Sequence, residues 1–192
     1  MRACVISIGC RLNQAEGDAL RMVLKRAGNE VITWENYRTG TTLSDTEPND
    51  FSTVRTSFKK TLHFESSAPK PETAKEEKSN QASAVLPSID TVILNTCEVT
   101  EQAVHTSRKW IRRIASLHPK PRLLVTGCLT QIEFEKLRRE KGVDEIISQT
   151  TKVKLIKDCP ILPSRSRAFL KIQDGCFNRC AYCLPAQIRG AP

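Results

Sequence analysis

Segments with the apolar pattern of β-strands alternate along this chain with segments of helical pattern. Residues 3–8 are mostly apolar, and residues 31–34 combine β-branched and aromatic side chains, as strands commonly do. Between them, Asn13 followed by Glu16 has the spacing of a capping box, which predicts a helix that ends before Gly28. This part of the chain is therefore predicted to form a strand–helix–strand unit.

The same alternation resumes later in the chain. The pattern predicts strands at 91–95, 123–126 and 145–147, a helix at 100–117, and a helix at 131–141 preceded by the capping pair Thr130 and Glu133. Strands separated by helices form parallel sheets, because a parallel pair needs a long crossover connection. We therefore predict the α/β class, with a doubly wound parallel sheet that has helices on both faces.

Residues 36–90 differ in composition from the rest of the chain. They are rich in Ser, Thr, Pro, Glu and Lys, and they hold seven Lys and Arg against eight Asp and Glu. Such a segment cannot bury enough apolar surface to offset its conformational entropy, so we predict a mostly disordered insertion, with a short strand or hairpin at most at 54–64. The net charge of +9 belongs to the flanking parts and favours polyanionic partners without identifying one.

The hydropathy pattern predicts no membrane segment and no cleaved leader. No stretch approaches the roughly 18 uninterrupted apolar residues that cross a bilayer. The apolar start of the chain runs directly into Arg11 and further polar residues, so we expect a cytoplasmic protein with no membrane partner. Cysteines stay reduced in the cytoplasm, and the eight present here therefore indicate metal or cluster chemistry before disulfides.

Three cysteines follow predicted strands. Cys10 and Cys128 come after Gly9 and Gly127, and Cys97 follows the strand at 91–95. The carboxyl ends of parallel strands meet at one edge of the sheet, so these thiols can converge although they are far apart in sequence. Each also precedes a predicted helix, whose N-terminus favours the thiolate that binds iron. The alternative is that they are small buried apolar residues, as single cysteines often are.

Three further cysteines, Cys176, Cys180 and Cys183, have a C-x3-C-x2-C spacing directly after a predicted strand at 168–173. Three thiolates can hold three irons of a cubane cluster and leave the fourth iron open for a substrate. The alternative is a structural zinc site completed by a fourth ligand such as Cys159. Residues 152–167, which contain Pro160 and Pro163, have the composition of a connector before this strand.

These motifs resemble those of the radical S-adenosylmethionine tRNA methylthiotransferases. The sequences GCRLNQ at 9–14, NTCEVT at 95–100 and VTGC at 125–128 are similar to the three cysteine motifs of that family's N-terminal domain, and FLKIQDGC at 169–176 resembles the entry to its radical domain. The resemblance covers the chain outside the insertion. The first motif is most similar to the branch that acts on threonylcarbamoyladenosine, and less to the isopentenyladenosine or ribosomal-protein branches.

The resemblance implies two 4Fe-4S clusters and S-adenosylmethionine. Cys176, Cys180 and Cys183 would hold the cluster whose open iron binds S-adenosylmethionine for radical hydrogen abstraction at adenine C2, and Tyr182 would lie near that cofactor. Cys10, Cys97 and Cys128 would hold an auxiliary cluster that presents the inserted sulfur. The implied partners are the tRNA anticodon stem-loop and an electron donor.

The resemblance also implies a domain division and an incomplete enzyme. Residues 1–155 would form the methylthiotransferase N-terminal domain, 156–167 a linker, and 168–192 only the first strand and cluster loop of the radical barrel. Leu184 leads directly to Pro185, where the family has a second hydrophobic residue, although Arg189 and Gly190 fall where expected. We expect a truncated product, a gene fragment or half of a split protein that is inactive alone.

Other interpretations remain open at this point. The chain could be a noncatalytic metal-binding or interaction module, while an oxidoreductase of flavodoxin type is disfavoured by the lack of a phosphate-binding loop after the first strand. A run of basic residues could meet tRNA phosphates, although a solvated helix face is the favoured explanation; the run comprises Arg108, Lys109, Arg112 and Arg113. No role as a ligand is assigned to Cys4, Cys159 or the three histidines, His63, His105 and His118.

Overall fold

A computed structural model of the chain describes residues 1–39, 88–159, 171–178 and 180–191. Within these ranges the strands are β1 (Arg2–Ser7), β2 (Glu30–Ile32), β3 (Thr91–Cys97), β4 (Arg122–Cys128) and β5 (Glu145–Ile146). The helices are α1 (Arg11–Arg26), α2 (Trp34–Thr39), α3 (Glu101–Ala115), α4 (Gln131–Arg138), α5 (Gln149–Ile156) and α6 (Leu184–Arg189). None of the helices described here is long and apolar enough to span a membrane.

The five strands form one sheet in the order β2-β1-β3-β4-β5, and every neighbouring pair is parallel. The chain moves outward from β1 to β2 on one side and from β3 through β4 to β5 on the other. The strand order therefore reverses between β1 and β3, which is the point where doubly wound sheets bind ligands. The α/β class and the doubly wound parallel sheet predicted from the sequence are confirmed.

Both faces of the sheet are covered. Alternate residues of β3 point to opposite faces, so Val92 packs with Ile111 of α3 while Ile93 packs with Leu20 of α1. Helices α2, α3 and α4 contribute to the first apolar cluster, and α1 and α5 to the second. All seven residues of β3 are buried, as expected for a central parallel strand between two helical layers.

Two of the predicted boundaries near the start of the chain are wrong. Helix α1 begins at Arg11 with Cys10 at its N-cap, so Asn13 and Glu16 lie inside the helix and are no capping box. Both side chains are buried, because they face the sheet and make polar contacts there. Trp34, predicted in a strand, begins α2 and packs edge-on against Trp110 at a centroid distance of 4.9 Å.

The predicted connector at 152–167 is wrong at its beginning. Residues up to Ile156 belong to α5, whose N-cap Ser148 accepts a hydrogen bond from the Thr151 backbone N–H. Lys152 is fully buried, so this turn is part of the core. Residues 171–173 of the predicted strand lie outside regular structure. The remaining parts of the strand and connector, at 168–170 and 160–167, lie outside the described residues.

The predicted insertion at 36–90 is described only at its ends. Residues up to Thr39 belong to α2, and residues 88–90 lead into β3, where Asp90 accepts a hydrogen bond from the Arg2 backbone N–H. These described ends are short, so the prediction of a mostly disordered insertion stays a prediction. Residues 40–87, including the possible strand at 54–64, lie outside the described residues. The division at 155 into two domains stays a prediction.

Candidate functional site

A pocket of about 720 Å³ opens at the carboxyl edge of the sheet, where the strand order reverses. Its walls come from the loop after β1 and the start of α1, from the end of β3 and the loop after it, from the last residue of β4, from the first half of α3, and from residues between 173 and 189. Five of the six predicted ligand cysteines line it, namely Cys10, Cys97, Cys128, Cys176 and Cys183. The fold thus brings together thiols from both cysteine sets.

The two deepest thiols lie side by side. Strands β3 and β4 each run further than predicted and include Cys97 and Cys128 as their last residues. These cysteines are paired in the parallel register, so their backbones are neighbours across the sheet. They are 4% and 2% exposed, whereas Cys10 is exposed at the start of α1.

Two glycines allow the cysteine-bearing loops to approach each other. Gly9 has φ +98°, and a Cβ atom there would lie 2.5 Å from the Cβ of Cys97. Gly127 has φ +142°, and its Cβ would lie 2.1 Å from the backbone oxygen of Thr96. Any side chain at either position would collide with β3, so both glycines are required for the pocket to close around Cys97.

Only part of the C-x3-C-x2-C loop lines the pocket: Cys176 and Cys183 do, and Cys180 does not. The Cys176 backbone N–H donates to Gly190 O at 2.9 Å, which closes the loop on itself, while Cys183 N–H donates to Cys180 O in a turn. Cys180 is exposed and does not line the pocket. Tyr182, predicted near the cofactor, is 91% exposed and also lies outside the lining. The roles of Cys180 and Tyr182 stay predictions.

A buried amide network supports the pocket floor. Asn13 donates through Nδ2 to the backbone oxygens of Ile8 and Thr96, at 2.8 and 2.5 Å. Its Oδ1 accepts from the thiol of Cys128 at 3.7 Å. Asn95 donates in turn to the backbone oxygen of Asn13 at 2.7 Å. These bonds join the ends of β1, β3 and β4 around the three thiols.

Beside the amides lies a buried cluster of charges centred on Glu16. Its carboxylate contacts Lys152 Nζ at 2.7 Å, Arg189 Nη1 at 2.8 Å and Lys171 Nζ at 3.2 Å. Arg189 also contacts Asp174 Oδ1 at 2.5 Å. Burial by itself raises the pKa of Glu16, but Lys152 and Arg189 outweigh that effect and hold the pKa at about 2. Glu16 is therefore ionised throughout the neutral range.

The thiols differ in their electrostatic surroundings. Burial raises the pKa of Cys128, although Arg189 and Lys152 oppose the rise. The Arg189 guanidinium contacts the Cys128 sulfur directly through Nη2. Cys4 lies in the core away from the pocket, where burial raises the pKa of its thiol to about 12. Cys128 is thus next to a cation that stabilises its thiolate, and Cys4 is an inert core residue.

Of the described side chains of the types that commonly bind metals, His, Cys, Asp and Glu, only cysteines line the pocket. Thiolates are the ligands of iron–sulfur clusters and of structural zinc. Among the described residues, no three His, Cys, Asp or Glu side chains stand close enough together to form a ready metal site. The chemistry of the donors therefore fits an iron–sulfur group as well as zinc, while the thiols share a cavity without converging on a single point.

Sequence reasoning missed the cluster of charges around Glu16. Lys152 lies in a helix of weak amphipathic pattern, and Arg189 pairs with a residue 173 positions earlier. Neither the weak helical pattern around Lys152 nor a contact between residues so far apart in sequence gives a local signal. The only local signal is the short stretch Val153 to Ile156, three of whose four residues are apolar and which Lys152 directly precedes.

The fold and the pocket define a class of protein, an α/β domain that presents strand-end thiols at its switch point. Residues 72–148 match the family described as uncharacterized protein family UPF0004. The chain is 31% identical over 113 residues to the threonylcarbamoyladenosine tRNA methylthiotransferase MtaB of Chlamydia pneumoniae, which covers 53% of this chain and 27% of that protein.

Two further relatives extend this match. The MtaB protein of Aquifex aeolicus is 22% identical over 217 residues, which covers 99% of this chain and 40% of that protein. The ribosomal protein uS12 methylthiotransferase RimO of Elusimicrobium minutum is 32% identical over 126 residues, which covers 53% and 29%. The chain is thus similar in sequence to proteins named as methylthiotransferases. It spans between 27% and 40% of the length of these three relatives.

Proposed function

We propose that this chain supplies the cluster-binding N-terminal part of a radical S-adenosylmethionine methylthiotransferase that acts on threonylcarbamoyladenosine in tRNA. Cys10, Cys97 and Cys128 would hold one 4Fe-4S cluster, and Cys176, Cys180 and Cys183 the other. The observation that carries the proposal is that thiols from both sets line one pocket at the switch point of the sheet.

The incomplete convergence of the thiols is compatible with this assignment on energetic grounds. Reorienting a cysteine side chain costs about 1 kcal/mol. Metal–thiolate sites in small domains contribute on the order of 10 kcal/mol of binding free energy. Iron binding can therefore draw the thiols of Cys10, Cys97 and Cys128 together without disturbing the strands that position them.

The chain's own residues have defined tasks in this proposal. The two clusters and S-adenosylmethionine would supply radical cleavage chemistry and the sulfur to be inserted. Cys97 and Cys128, at the buried ends of β3 and β4, would bind iron from the deepest part of the pocket. Asn13 fixes the strand ends around them through its two donated hydrogen bonds. The apolar lining from Ile8, Leu12 and Pro185 restricts solvent.

Anaerobic reconstitution of the full chain with iron and sulfide tests the cluster assignment. Two 4Fe-4S clusters correspond to about eight irons per chain and a broad charge-transfer absorption near 400 nm. We expect the wild-type chain to bind about eight irons. A triple serine variant of either cysteine set should bind about four. Electron paramagnetic resonance of the two triple variants should then give two distinct reduced-cluster signals.

The matched control is Cys159→Ser. Cys159 is partly buried but lies outside the pocket, next to Arg26. Its replacement should leave the iron content at the wild-type value. Stoichiometric zinc that withstands reconstitution, or an iron content unaffected by both triple variants, would instead indicate a noncatalytic metal-binding module and contradict the proposal.

The substrate is assigned from the relatives and is tested in cells. Two of the relatives described above are named for threonylcarbamoyladenosine in tRNA and one for ribosomal protein uS12. Deleting the gene that encodes this chain should remove the methylthio derivative of threonylcarbamoyladenosine from tRNA hydrolysates, as measured by mass spectrometry. Loss of the modification from isopentenyladenosine or from uS12 instead would overturn the substrate assignment and leave the cluster assignment standing.

A further inference from the structure

The side chain of Arg189 joins the C-x3-C-x2-C loop to the floor of the pocket. Arg189 ends α6, which follows the last cysteine of the loop, yet its side chain is only 4% exposed. Nη1 donates to Glu16 Oε1 and to Asp174 Oδ1, and Nη2 contacts the Cys128 sulfur. A single guanidinium therefore reaches α1, the beginning of the loop and the end of β4.

We propose that Arg189 is a positioning residue that fixes the C-x3-C-x2-C loop over the sheet edge and donates a hydrogen bond to the sulfur of Cys128. Its effect on a bound cluster rests on the function proposed above. Its effect on the loop does not, because the contacts with Glu16 and Asp174 involve no metal ligand.

The loop is held at both ends by this arrangement. Asp174 precedes the first cysteine of the loop and Arg189 follows the last, and the two side chains contact each other at 2.5 Å. Lys171 adds contacts with Asp174 at 2.6 Å and with Glu16 at 3.2 Å. Since Glu16 is itself held by the fully buried Lys152, the loop is anchored to the rigid core of the sheet domain.

Arginine suits this position for a geometric reason. Its planar fork can serve two carboxylates and a sulfur at once, with each N–H in a fixed direction. Lysine would keep the charge but, as a point donor, would lose the simultaneous contacts. Glutamine would lose both the charge and most of the donors. The two substitutions therefore separate the contribution of charge from that of geometry.

Hydrogen bonds and positive charge near cluster sulfurs raise the reduction potential of a cluster, because they stabilise the more negative reduced state. Nη2 of Arg189 supplies both at Cys128. A cluster held by Cys10, Cys97 and Cys128 should therefore have a higher potential with Arg189 than without it.

The first experiment uses the metal-free full chain and measures the alkylation rates of Cys176 and Cys183 by mass spectrometry. Both line the pocket and are half-buried. Arg189→Gln should speed their alkylation at least about tenfold, since it removes hydrogen bonds between charged groups, which are roughly twice as strong as neutral ones. Arg189→Lys should give a smaller increase. The control Arg139→Gln removes one exposed charge at the end of α4 and should leave both rates unchanged.

The second experiment measures the midpoint potential of the cluster at Cys10, Cys97 and Cys128, with Cys176, Cys180 and Cys183 replaced by serine. Arg189→Gln should shift this potential to more negative values, with Arg189→Lys between the two. Unchanged alkylation rates and an unchanged potential in a reconstituted cluster would overturn the inference. If no cluster forms but alkylation responds as expected, the proposed function fails while the positioning of the loop by Arg189 stands.

Discussion

At the scale of single residues, the shape of the pocket depends on glycines, which have no side chain. Gly9 lies in the loop after β1 and Cys97 ends β3, yet a Cβ atom on Gly9 would lie 2.5 Å from the Cβ and 3.0 Å from the Sγ of Cys97. The positive φ of Gly9 also turns the chain sharply between β1 and α1. Gly9 therefore decides where the thiol of Cys97 can lie.

The substitution Gly9→Ala should destabilise the protein by about 1–3 kcal/mol and displace the side chain of Cys97. Both the strained backbone and the overlap contribute. The measurements are the midpoint of urea unfolding and the alkylation rate of Cys97. This rate should rise because the displaced thiol leaves its native position, where Cys97 is only 4% exposed.

A matched control separates overlap from backbone strain. Gly190 also has a positive φ, +72°, but an added Cβ there would meet no atom within 4 Å. Gly190→Ala should therefore leave the alkylation rate of Cys97 at its wild-type value. An equal rate in Gly9→Ala and wild type would show that the close approach is not what holds Cys97.

At the scale of elements, the start of α4 is tied to the end of β3. Thr130 caps α4 by accepting from the Glu133 backbone N–H at 3.2 Å, and its hydroxyl donates to Glu98 Oε1 at 2.8 Å. Glu98 also accepts from the Thr130 backbone N–H at 2.6 Å. Glu98 directly precedes Val99 and Thr100, which line the pocket, so the cap also helps to hold that part of the pocket wall.

Replacing Thr130 by alanine should lower stability by about 1–2 kcal/mol, because both the cap and a hydrogen bond to a carboxylate are lost. Thr130→Ser keeps the hydroxyl and should stay within about 0.5 kcal/mol of wild type. Chemical unfolding monitored by circular dichroism measures both values. Equal losses in the two variants would mean that the methyl group, and not the hydroxyl, stabilises this corner.

The prediction of elements from sequence succeeded where patterning is local. The cap Thr130, the buried strand β3 and the alternation of strands with helices all have short-range signals, and the structure confirms them. Helix α5 was missed because Lys152 occupies one of its buried positions, and an apolar pattern predicts that a lysine is exposed to solvent. Trp34 was misassigned because a large aromatic residue suits a strand and a buried helix start equally well.

At the scale of the whole molecule, the sequence predicted which strand-end cysteines meet at the pocket. It did not predict the charged residues that hold the C-x3-C-x2-C loop there. Cysteines placed after strands are visible in sequence, and parallel topology explains why Cys10, Cys97 and Cys128 reach one pocket. The charges that hold the C-x3-C-x2-C loop against this pocket were not predictable. Their partners are joined only by the tertiary fold, and a buried ion pair has no sequence period.

These long-range charges make stability depend on pH. Glu16 faces Lys152 from α5 and Lys171 and Arg189 from the C-terminal segment, with Asp174 beside them. Its pKa falls from the usual 4.5 to about 2 in the folded protein. A lowered pKa means that the stabilisation is complete above about pH 4.5 and is lost as the pH falls toward 2. The full effect is roughly 3 kcal/mol, of which about 2 kcal/mol is lost by pH 3.

The variant Glu16→Gln tests this dependence. At pH 7 it should be less stable than wild type by about 3–5 kcal/mol, because Lys152 remains buried without its counter-charge. Its free energy of unfolding should also fall less steeply than that of wild type between pH 5 and pH 3, since the titrating carboxylate is gone. Urea unfolding across this range gives both curves, and curves that run parallel would refute the coupling. The double variant Glu16→Leu with Lys152→Met should recover part of the stability at pH 7, because it removes the buried Lys152 charge together with its partner, while Lys171 and Arg189 keep their contacts with Asp174.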